Sequence, residues 1–334
     1  MNILLLCEVF PPQIGGIERM AEMLTSTLNT LGHSVRILTL CAAPARRDDW
    51  PANITVHSCP GLLAHWSALR WADIVICNHL SLRTAWPELL LHHRVIIWCH
   101  TYLPQTGIGG KFKTWAMRRH TTFAVSSHLA ATLPQPSGIL ENCYAPDIYH
   151  SQGRTSSPDI DFLFVGRLMR GKQPHLILEG AAELIAQGQP VRAVIIGDGP
   201  EKPRLAEQIL KNGMSQFVIL AGSLPPHSVA QYMRNSRYLL IPSDWGESFG
   251  LVAIEGIACG CEIIGTDDGG LPEAIGDCGQ TVSAKDPAAF KQKMKEALLG
   301  QLTTKTNLAQ RHLERFTPST FAESWSVALA KVMT

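Results

Sequence analysis

Two glutamates eight residues apart, Glu247 and Glu255, stand in the segment Pro242-Ser243-Asp244-Trp245-Gly246-Glu247-Ser248-Phe249-Gly250-Leu251-Val252-Ala253-Ile254-Glu255-Gly256. The apolar run ending at Ile241 reads as a strand, the loop after it carries Glu247, and a helix opens near Gly250 with Glu255 in its second turn. Two carboxylates can then face one cleft. A carboxylate accepts charge-assisted hydrogen bonds from two hydroxyls of a sugar or ribose, while the N–H groups of Phe249 to Val252 at the helix start can hold a phosphate. Glu255, flanked by Ile254 and Ile257, needs a partner in such a setting, and a buried ion pair is the structural alternative.

Three weaker segments follow other apolar runs, which is where open α/β sheets bind their ligands. In Phe164-Val165-Gly166-Arg167-Leu168-Met169-Arg170-Gly171-Lys172, a guanidinium and an ammonium between strand and helix suit a diphosphate whose charge must be neutralised; the alternative is two solvated cations. In Ile196-Gly197-Asp198-Gly199-Pro200 the small residues let a flat base or ribose lie against the backbone. In Phe10-Pro11-Pro12-Gln13-Ile14-Gly15-Gly16-Ile17-Glu18 paired glycines precede the helical pattern Met20–Leu31 and offer close approach and free N–H groups to an anion. A glycine turn of mere geometry reads equally well there.

The elements that must position these groups alternate along the chain. Ile3–Cys7, Ser34–Thr39, Ile74–Cys77, Val95–Cys99 and Phe123–Ser126 read as strands with helical stretches between several of them, the pattern of a parallel sheet covered by helices. It breaks at the polar, turn-rich segment 151–158, where the linker is expected, and restarts with Asp161–Val165, Val191–Ile196, Phe217–Ala221, Tyr238–Ile241 and Glu262–Gly265, separated by helices such as His175–Gln187 and Glu201–Asn212. Two tandem Rossmann-like doubly wound α/β domains follow, residues 1–150 and 151–317. A last amphipathic helix over 318–334 carries Phe321, Trp325, Leu329 and Val332 on one face.

Length and composition agree. A chain of 334 residues suits two domains, and its net charge of +1, divided as +2 before residue 150 and −1 after it, does not suggest nucleic acid as a partner. The nine Cys show no C-x-x-C or zinc spacing and read as reduced core residues of a cytosolic protein. The first apolar run lacks a basic n-region and stops at Pro11-Pro12, so a buried strand is expected rather than a signal peptide, and no run approaches the 18 or so apolar residues of a membrane span.

Taken together, the segments resemble the retaining family-4 glycosyltransferases of the GT-B fold. The glycine loop after the first strand, G-R-x-x-x-x-K, the G-D-G-P turn, P-S-x-x-x-E-S-F-G-L-x-x-x-E with its E-x7-E spacing, and Gly269-Gly270-Leu271-Pro272-Glu273 occur in the family's order over essentially the whole chain. The resemblance implies an N-terminal acceptor domain, a C-terminal nucleotide-sugar domain and a terminal helix that packs back toward the first. It implies that Arg167 and Lys172 bind the donor diphosphate, Glu255 the ribose and Glu247 the transferred sugar. Gly166, Ser248, Phe249, Gly250 and Leu251 then supply backbone contacts, Gly15 and Gly16 close on the donor, and Gly197, Ser223 and Leu224 flank the base. His100, at the end of Trp98-Cys99-His100-Thr101, matches the family's histidine near the reacting carbon and joins Glu247, Arg167 and Lys172 as the catalytic set; read without the resemblance it is a satisfied core or loop histidine.

The implied activity is metal-independent transfer of a hexose-type sugar, with retention, from a nucleoside-diphosphate donor, a UDP-linked hexose or GDP-mannose, to a saccharide or lipid-linked acceptor in bacterial envelope or exopolysaccharide synthesis. No cofactor is expected: Arg, Lys and a helix start neutralise the diphosphate, and Asp267-Asp268 reads as a solvated turn rather than a metal signature. Front-face departure and attack needs no enzyme nucleophile, and no Asp or Glu of the N-terminal half stands out as one. The segment Glu141–Asp147 lacks the family's usual Asn-Gly followed by Asp, and Gly256 replaces a common Ala at some cost in helix propensity. Lys111-Phe112-Lys113-Thr114-Trp115-Ala116-Met117-Arg118-Arg119 mixes four cations with two aromatics, as suits peripheral contact with anionic lipid at the inner face of the membrane; an ordinary solvated helix is the alternative. A catalytically silent nucleotide-sugar-binding protein and a nucleotide-sugar epimerase are the rival readings. A dinucleotide oxidoreductase fits least, since no G-x-G-x-x-G follows the first strand.

Overall fold

The structure, a computed structural model, describes residues 1–13, 15–44, 50–92, 94–104, 106–302 and 308–333. Ile14 of the first glycine segment and Thr334 lie outside the described residues. The chain divides into two compact units, Met1–Cys143 with Pro318–Thr334, and Tyr144–Thr317.

The first unit holds β1 (Asn2–Cys7), β2 (Ser34–Thr39), β3 (Ile54–Ser58), β4 (Ile74–Asn78), β5 (Val95–Cys99), β6 (Thr121–Ala124) and β7 (Gly138–Ile139), all parallel in the order β3-β2-β1-β4-β5-β6-β7. Leu5 pairs with Ile37 on one side and Ile76 on the other. The central strands are apolar on both faces because helices cover both, so β4 and β5 are buried from end to end. These helices are α1 (Gly16–Thr30), α2 (Leu62–Trp71), α3 (Leu82–Leu91), α4 (Gly107–Arg119) and α5 (Ser127–Thr132).

The second unit repeats the plan with β8 (Ile160–Val165), β9 (Ala193–Ile196), β10 (Val218–Gly222), β11 (Ser236–Ile241), β12 (Glu262–Thr266) and β13 (Gly279–Val282), parallel in the order β10-β9-β8-β11-β12-β13. Its helices are α6 (His175–Ala186), α7 (Lys202–Lys211), α8 (Pro226–Arg234), α9 (Leu251–Ala258), α10 (Leu271–Ile275), α11 (Pro287–Leu298) and α12 (Ala309–Leu313). Phe162, Phe164, Leu240 and Ile264 from the strands meet Leu176, Phe290 and Met294 from α6 and α11 in one core.

The unit boundary falls between Cys143 and Tyr144 rather than at 150/151. Tyr149 is buried and Arg234 Nη1 donates to the carbonyl of Ile148 at 3.3 Å, so residues 144–150 belong to the second unit. Nor is the turn-rich segment after them a loose tether. The Arg154 guanidinium caps the end of α8 by donating to the carbonyls of Arg234 (3.2 Å) and Met233 (3.4 Å).

The last helix, α13 (Pro318–Met333), packs with the first unit although the whole second unit precedes it. Trp325 is fully buried, 5.1 Å from the ring of Trp98 on β5, and Phe321 lies 5.7 Å from the same ring. Lys331 Nζ donates to the carbonyl of Ser137 at 2.9 Å. Trp325→Ala removes a buried ring that the surroundings cannot refill and should destabilise this unit by about 3–5 kcal/mol, read as a lower urea midpoint. A loss under about 1 kcal/mol would contradict this packing role.

Candidate functional site

In the second sheet the chain runs from β8 out to β9 and β10, then returns to the other side of β8 as β11. The loops leaving β8 and β11 therefore part in opposite directions and leave a crevice at their carboxyl ends, where open α/β sheets bind ligands. Arg167 and Lys172 lie on the first loop, Glu247 on the second.

Lys172 Nζ and Glu247 Oε1 form a close ion pair, with both side chains largely buried. Ser243 Oγ donates to the same Oε1 at 2.7 Å, so Oε2 carries the carboxylate's remaining acceptor capacity. The ammonium also lies 5.7 Å from the ring centroid of Trp245, a cation–π contact. The loops are stitched to each other: Asp244 N donates to the carbonyl of Gly171 at 2.9 Å, and Gln173 Nε2 donates to the Asp244 carboxylate. Arg167 is exposed beside them.

Asp268, expected as half of a solvated turn, has a different role. Its Oδ2 accepts from the backbone N–H of Gly246 (2.6 Å) and of Glu247 (3.1 Å), while Gly270 N donates to the Glu247 carbonyl at 2.6 Å. Gly269 sits between them at φ +60, with the Glu247 carbonyl where a Cβ would be. This turn after β12 thus clamps the Glu247 peptide from both sides, and no other residue type fits at 269. Asp267, by contrast, is exposed.

On the other flank, Gly166 N donates to the Ile196 carbonyl (3.0 Å), Leu168 N to the Asp198 carbonyl (2.8 Å) and Gly197 N to the Gly222 carbonyl (2.8 Å). Gly197, at φ +141, has the Gly166 carbonyl where a Cβ would be, so the ends of β8, β9 and β10 meet backbone to backbone with Ser223 and Leu224 just beyond. Gly250 caps α9 with no side-chain hydrogen bond, Leu251 begins the helix, and Ser248 is half-buried in the loop before it. Phe249 is buried against the ring of Phe316 at 5.6 Å and anchors the turn. Glu255 is buried in α9. Gly256 does more than lower helix propensity: a methyl there would meet the side-chain ends of Leu239 and Ile263, which would have to shift to admit it.

Gly15, Gly16 and His100 belong to the first unit, where the strand order reverses between β1 and β4 in the same way. Gly15 is the extended cap of α1 and Gly16 its first residue. Asn78, at the end of β4, links this turn to His100: its Nδ2 donates to the Ile17 carbonyl at 3.2 Å and its Oδ1 faces His100 Nε2 at 2.9 Å. That nitrogen is therefore the protonated one. Burial holds the His100 pKa well below its ordinary value, and His79 nearby adds to the effect, so the ring is neutral. His79 is the residue sequence reasoning missed. It adopts φ 72, rare outside glycine, its N–H bonds the Trp98 carbonyl at 2.9 Å, and its Nδ1 is buried without a partner among the described residues. Burial, with the Lys113 charge, pushes its pKa down to about 4. Glu8 accepts from Arg83 at 3.0 Å on the same rim of the unit.

The profile of the family described as glycosyl transferases group 1 matches residues 147–314. The chain belongs to this family. Two further kinds of likeness accompany the match. A D-inositol 3-phosphate glycosyltransferase of Corynebacterium urealyticum is 34% identical over 164 residues, 46% of this chain. That stretch spans only 38% of the relative's length. Among solved structures, a glycosyltransferase of Rickettsia africae superposes with TM-score 0.80 at 17% identity, over 100% of this chain and 98% of its own. The Anabaena protein HepE in complex with UDP superposes with TM-score 0.78 at 17% identity, over 99% and 100%. These shared folds are of the GT-B type, two parallel-sheet α/β units. Among the described residues of this group 1 glycosyl transferase, no three His, Cys, Asp or Glu side chains are grouped to hold a metal ion, and no helix is long and apolar enough to cross a membrane. The cysteines are all free; Cys59 is exposed and Cys278 half-exposed, so these two are not core residues.

The two neutral histidines set a pH dependence. Their folded pKa values lie below the unfolded value near 6.5, so the unfolded chain takes up protons first as the solution is acidified. The stability contributed is full above about pH 6.5 and is lost as the pH falls below it, the His79 part by about pH 4. Melting temperature should fall over this window, and less steeply in His79→Asn, a residue that tolerates the left-handed backbone. An unchanged slope in the variant would show that His79 titrates normally.

Proposed function

We propose that this chain is a retaining, metal-independent family-4 glycosyltransferase, bearing the E-x7-E pair, that moves a hexose from a nucleoside-diphosphate sugar to a saccharide or lipid-linked acceptor. The observation that carries this reading is the Lys172–Glu247 pair at the strand-order reversal of the second sheet, within a rim of glycine backbone. A diphosphate arriving there competes with Glu247 for Lys172. As the ammonium turns to phosphate oxygens, the Glu247 carboxylate is released to accept from hydroxyls of the transferred sugar. The exchange couples donor binding to exposure of the sugar-binding group. Arg167 adds a second cation, the uncapped first turn of α9 adds N–H groups, and these take the place of a metal as the leaving diphosphate gains charge.

Glu255 holds the ribose, and Gly197, Ser223 and Leu224 flank the base. Gly15 and Gly16 close on the donor, and the Nε2-protonated, neutral His100 serves the reacting carbon from the acceptor-binding unit as a hydrogen-bonding group rather than a charge. UDP is the first base to test, because HepE, with the same fold, was crystallised with it. Membership of a transferase family favours turnover over a silent binding protein. We place the activity in the cytoplasm, in bacterial envelope or exopolysaccharide glycan synthesis. A lipid-linked acceptor would bring the chain to the inner face of the membrane, with the 111–119 segment as the lipid contact.

The test is a thermal-shift series with UDP-, GDP-, ADP- and TDP-glucose in EDTA. At 100 times its dissociation constant, a ligand of the folded state adds about 2.7 kcal/mol of stability. One base class should stabilise the wild type, with the shift lost in Glu255→Ala and sharply reduced in Lys172→Ala. Stabilisation by none of them, or only on adding a divalent metal, would overturn the reading. Product formed without acceptor would favour an epimerase instead.

A further inference from the structure

The reading of α4 as a lipid contact concerns one helix, but the exposed apolar side chains extend over three. On α2, Leu63 is 87% exposed and Trp66 55%, with Arg70 a turn further on the same face. On α3, Trp86 is 48% exposed, with Arg83 three residues before it and exposed Leu90 four after. On α4, Ile108 is 92% exposed and Trp115 40%, interleaved with Lys111, Arg118 and Arg119 at helical spacing. Each helix therefore turns outward the same triplet of aliphatic residue, tryptophan and cation.

The topology makes these three faces one surface. The crossovers β3→β4, β4→β5 and β5→β6 all run in one direction across the sheet, so right-handed connections put α2, α3 and α4 on the same side, while α1 crosses the other way. α3 packs against both neighbours. A buried His65–Glu88 pair at 2.6 Å ties it to α2, and His120 Nε2 meets the Leu89 carbonyl at 2.9 Å beyond the end of α4.

Charge selects the occupant. Residues 60–120 carry seven Lys and Arg against two Asp and Glu. Of these two acids, Glu88 is buried against His65 and Asp73 accepts from the N–H of Asn2 at the start of the sheet; Glu8, from outside this stretch, pairs with Arg83, so the net positive charge of the face is carried by Arg70, Lys111, Arg118 and Arg119. A second copy of this face would bring like charges together, whereas an anionic bilayer surface is complementary. Tryptophan, apolar in body with a polar N–H, suits the headgroup boundary, and the cations suit lipid phosphates.

We infer that α2, α3 and α4 form a single monotopic docking face by which the first unit seats on an anionic bilayer. This rests on the reading of α4 as a lipid contact and widens it. The test is co-sedimentation of the full chain with phosphatidylcholine vesicles, with and without phosphatidylglycerol, alongside Trp66→Ser/Trp86→Ser and Lys111→Gln/Arg118→Gln/Arg119→Gln, each checked for an unchanged melting temperature. The wild type should bind only the anionic vesicles, each variant should lose about a hundredfold in partition, and brominated lipid should quench the wild-type tryptophans. Loss in the α4 variant alone would overturn the three-helix face and leave α4 as the contact; no wild-type binding would overturn both. Concentration-dependent dimerisation abolished by the tryptophan variant would overturn it in favour of self-association. Donor-induced thermal shifts, measured on the same variants, report separately on the nucleotide reading.

Discussion

Everything around the Lys172–Glu247 pair hangs on the reversal of strand order beside β8. A parallel sheet built outward from its first strand must at some point carry the chain back across itself, and the loops on either side of that point are forced apart. In this chain those two loops are Gly166–Gln173 and Pro242–Gly250, and they carry the cations and the loop carboxylate respectively. The turn after β12 then has one task, to hold the backbone of Glu247 rigidly enough that its side chain has a defined place. Asp268 does this with its carboxylate, Gly270 with its N–H, and Gly269 by leaving room for the Glu247 carbonyl.

The electrostatics follow the same economy. Lys172 and Glu247 neutralise one another where solvent is scarce, and Ser243 satisfies part of the carboxylate. Removing one partner would leave the other as an unpaired, largely buried charge, which costs about 3–5 kcal/mol. A polyanion that takes over the lysine therefore has to satisfy it well. The first unit uses the opposite strategy at its strand-order reversal: His79 and His100 are kept neutral by burial, so these two rings act through hydrogen-bond direction rather than charge.

Central strands were legible from sequence because burial on both faces leaves near-continuous apolar runs such as Ile74–Cys77 and Val95–Cys99. The strands that escaped, β3, β7 and β13, are all sheet edges. An edge strand is paired on one side only, and Ile54–Ser58 and Gly279–Val282 are too polar to announce themselves. The candidate residues Gly166, Arg167, Gly197 and His100 stand out by the same logic, since they follow directly on apolar runs. What sequence could not convey was mutual distance: the pairing of Lys172 with Glu247 and the clamp from Asp268 depend on loops 75 and 21 residues apart in the chain. His79 follows a strand end as plainly as His100 does, and only its left-handed backbone and unpartnered nitrogen set it apart.

The placement of α13 has a consequence for how the chain comes into being. The first unit closes over Trp98 with a helix that leaves the ribosome only after residues 144–317 have been made. At about 5–20 residues per second, the nascent sheet waits roughly 9–35 seconds for its final layer. During that interval the second unit is contiguous and can fold ahead of the first, reversing the usual N-to-C order of domain maturation. The exposed flank of β5 is then a surface for a chaperone to shield until α13 arrives.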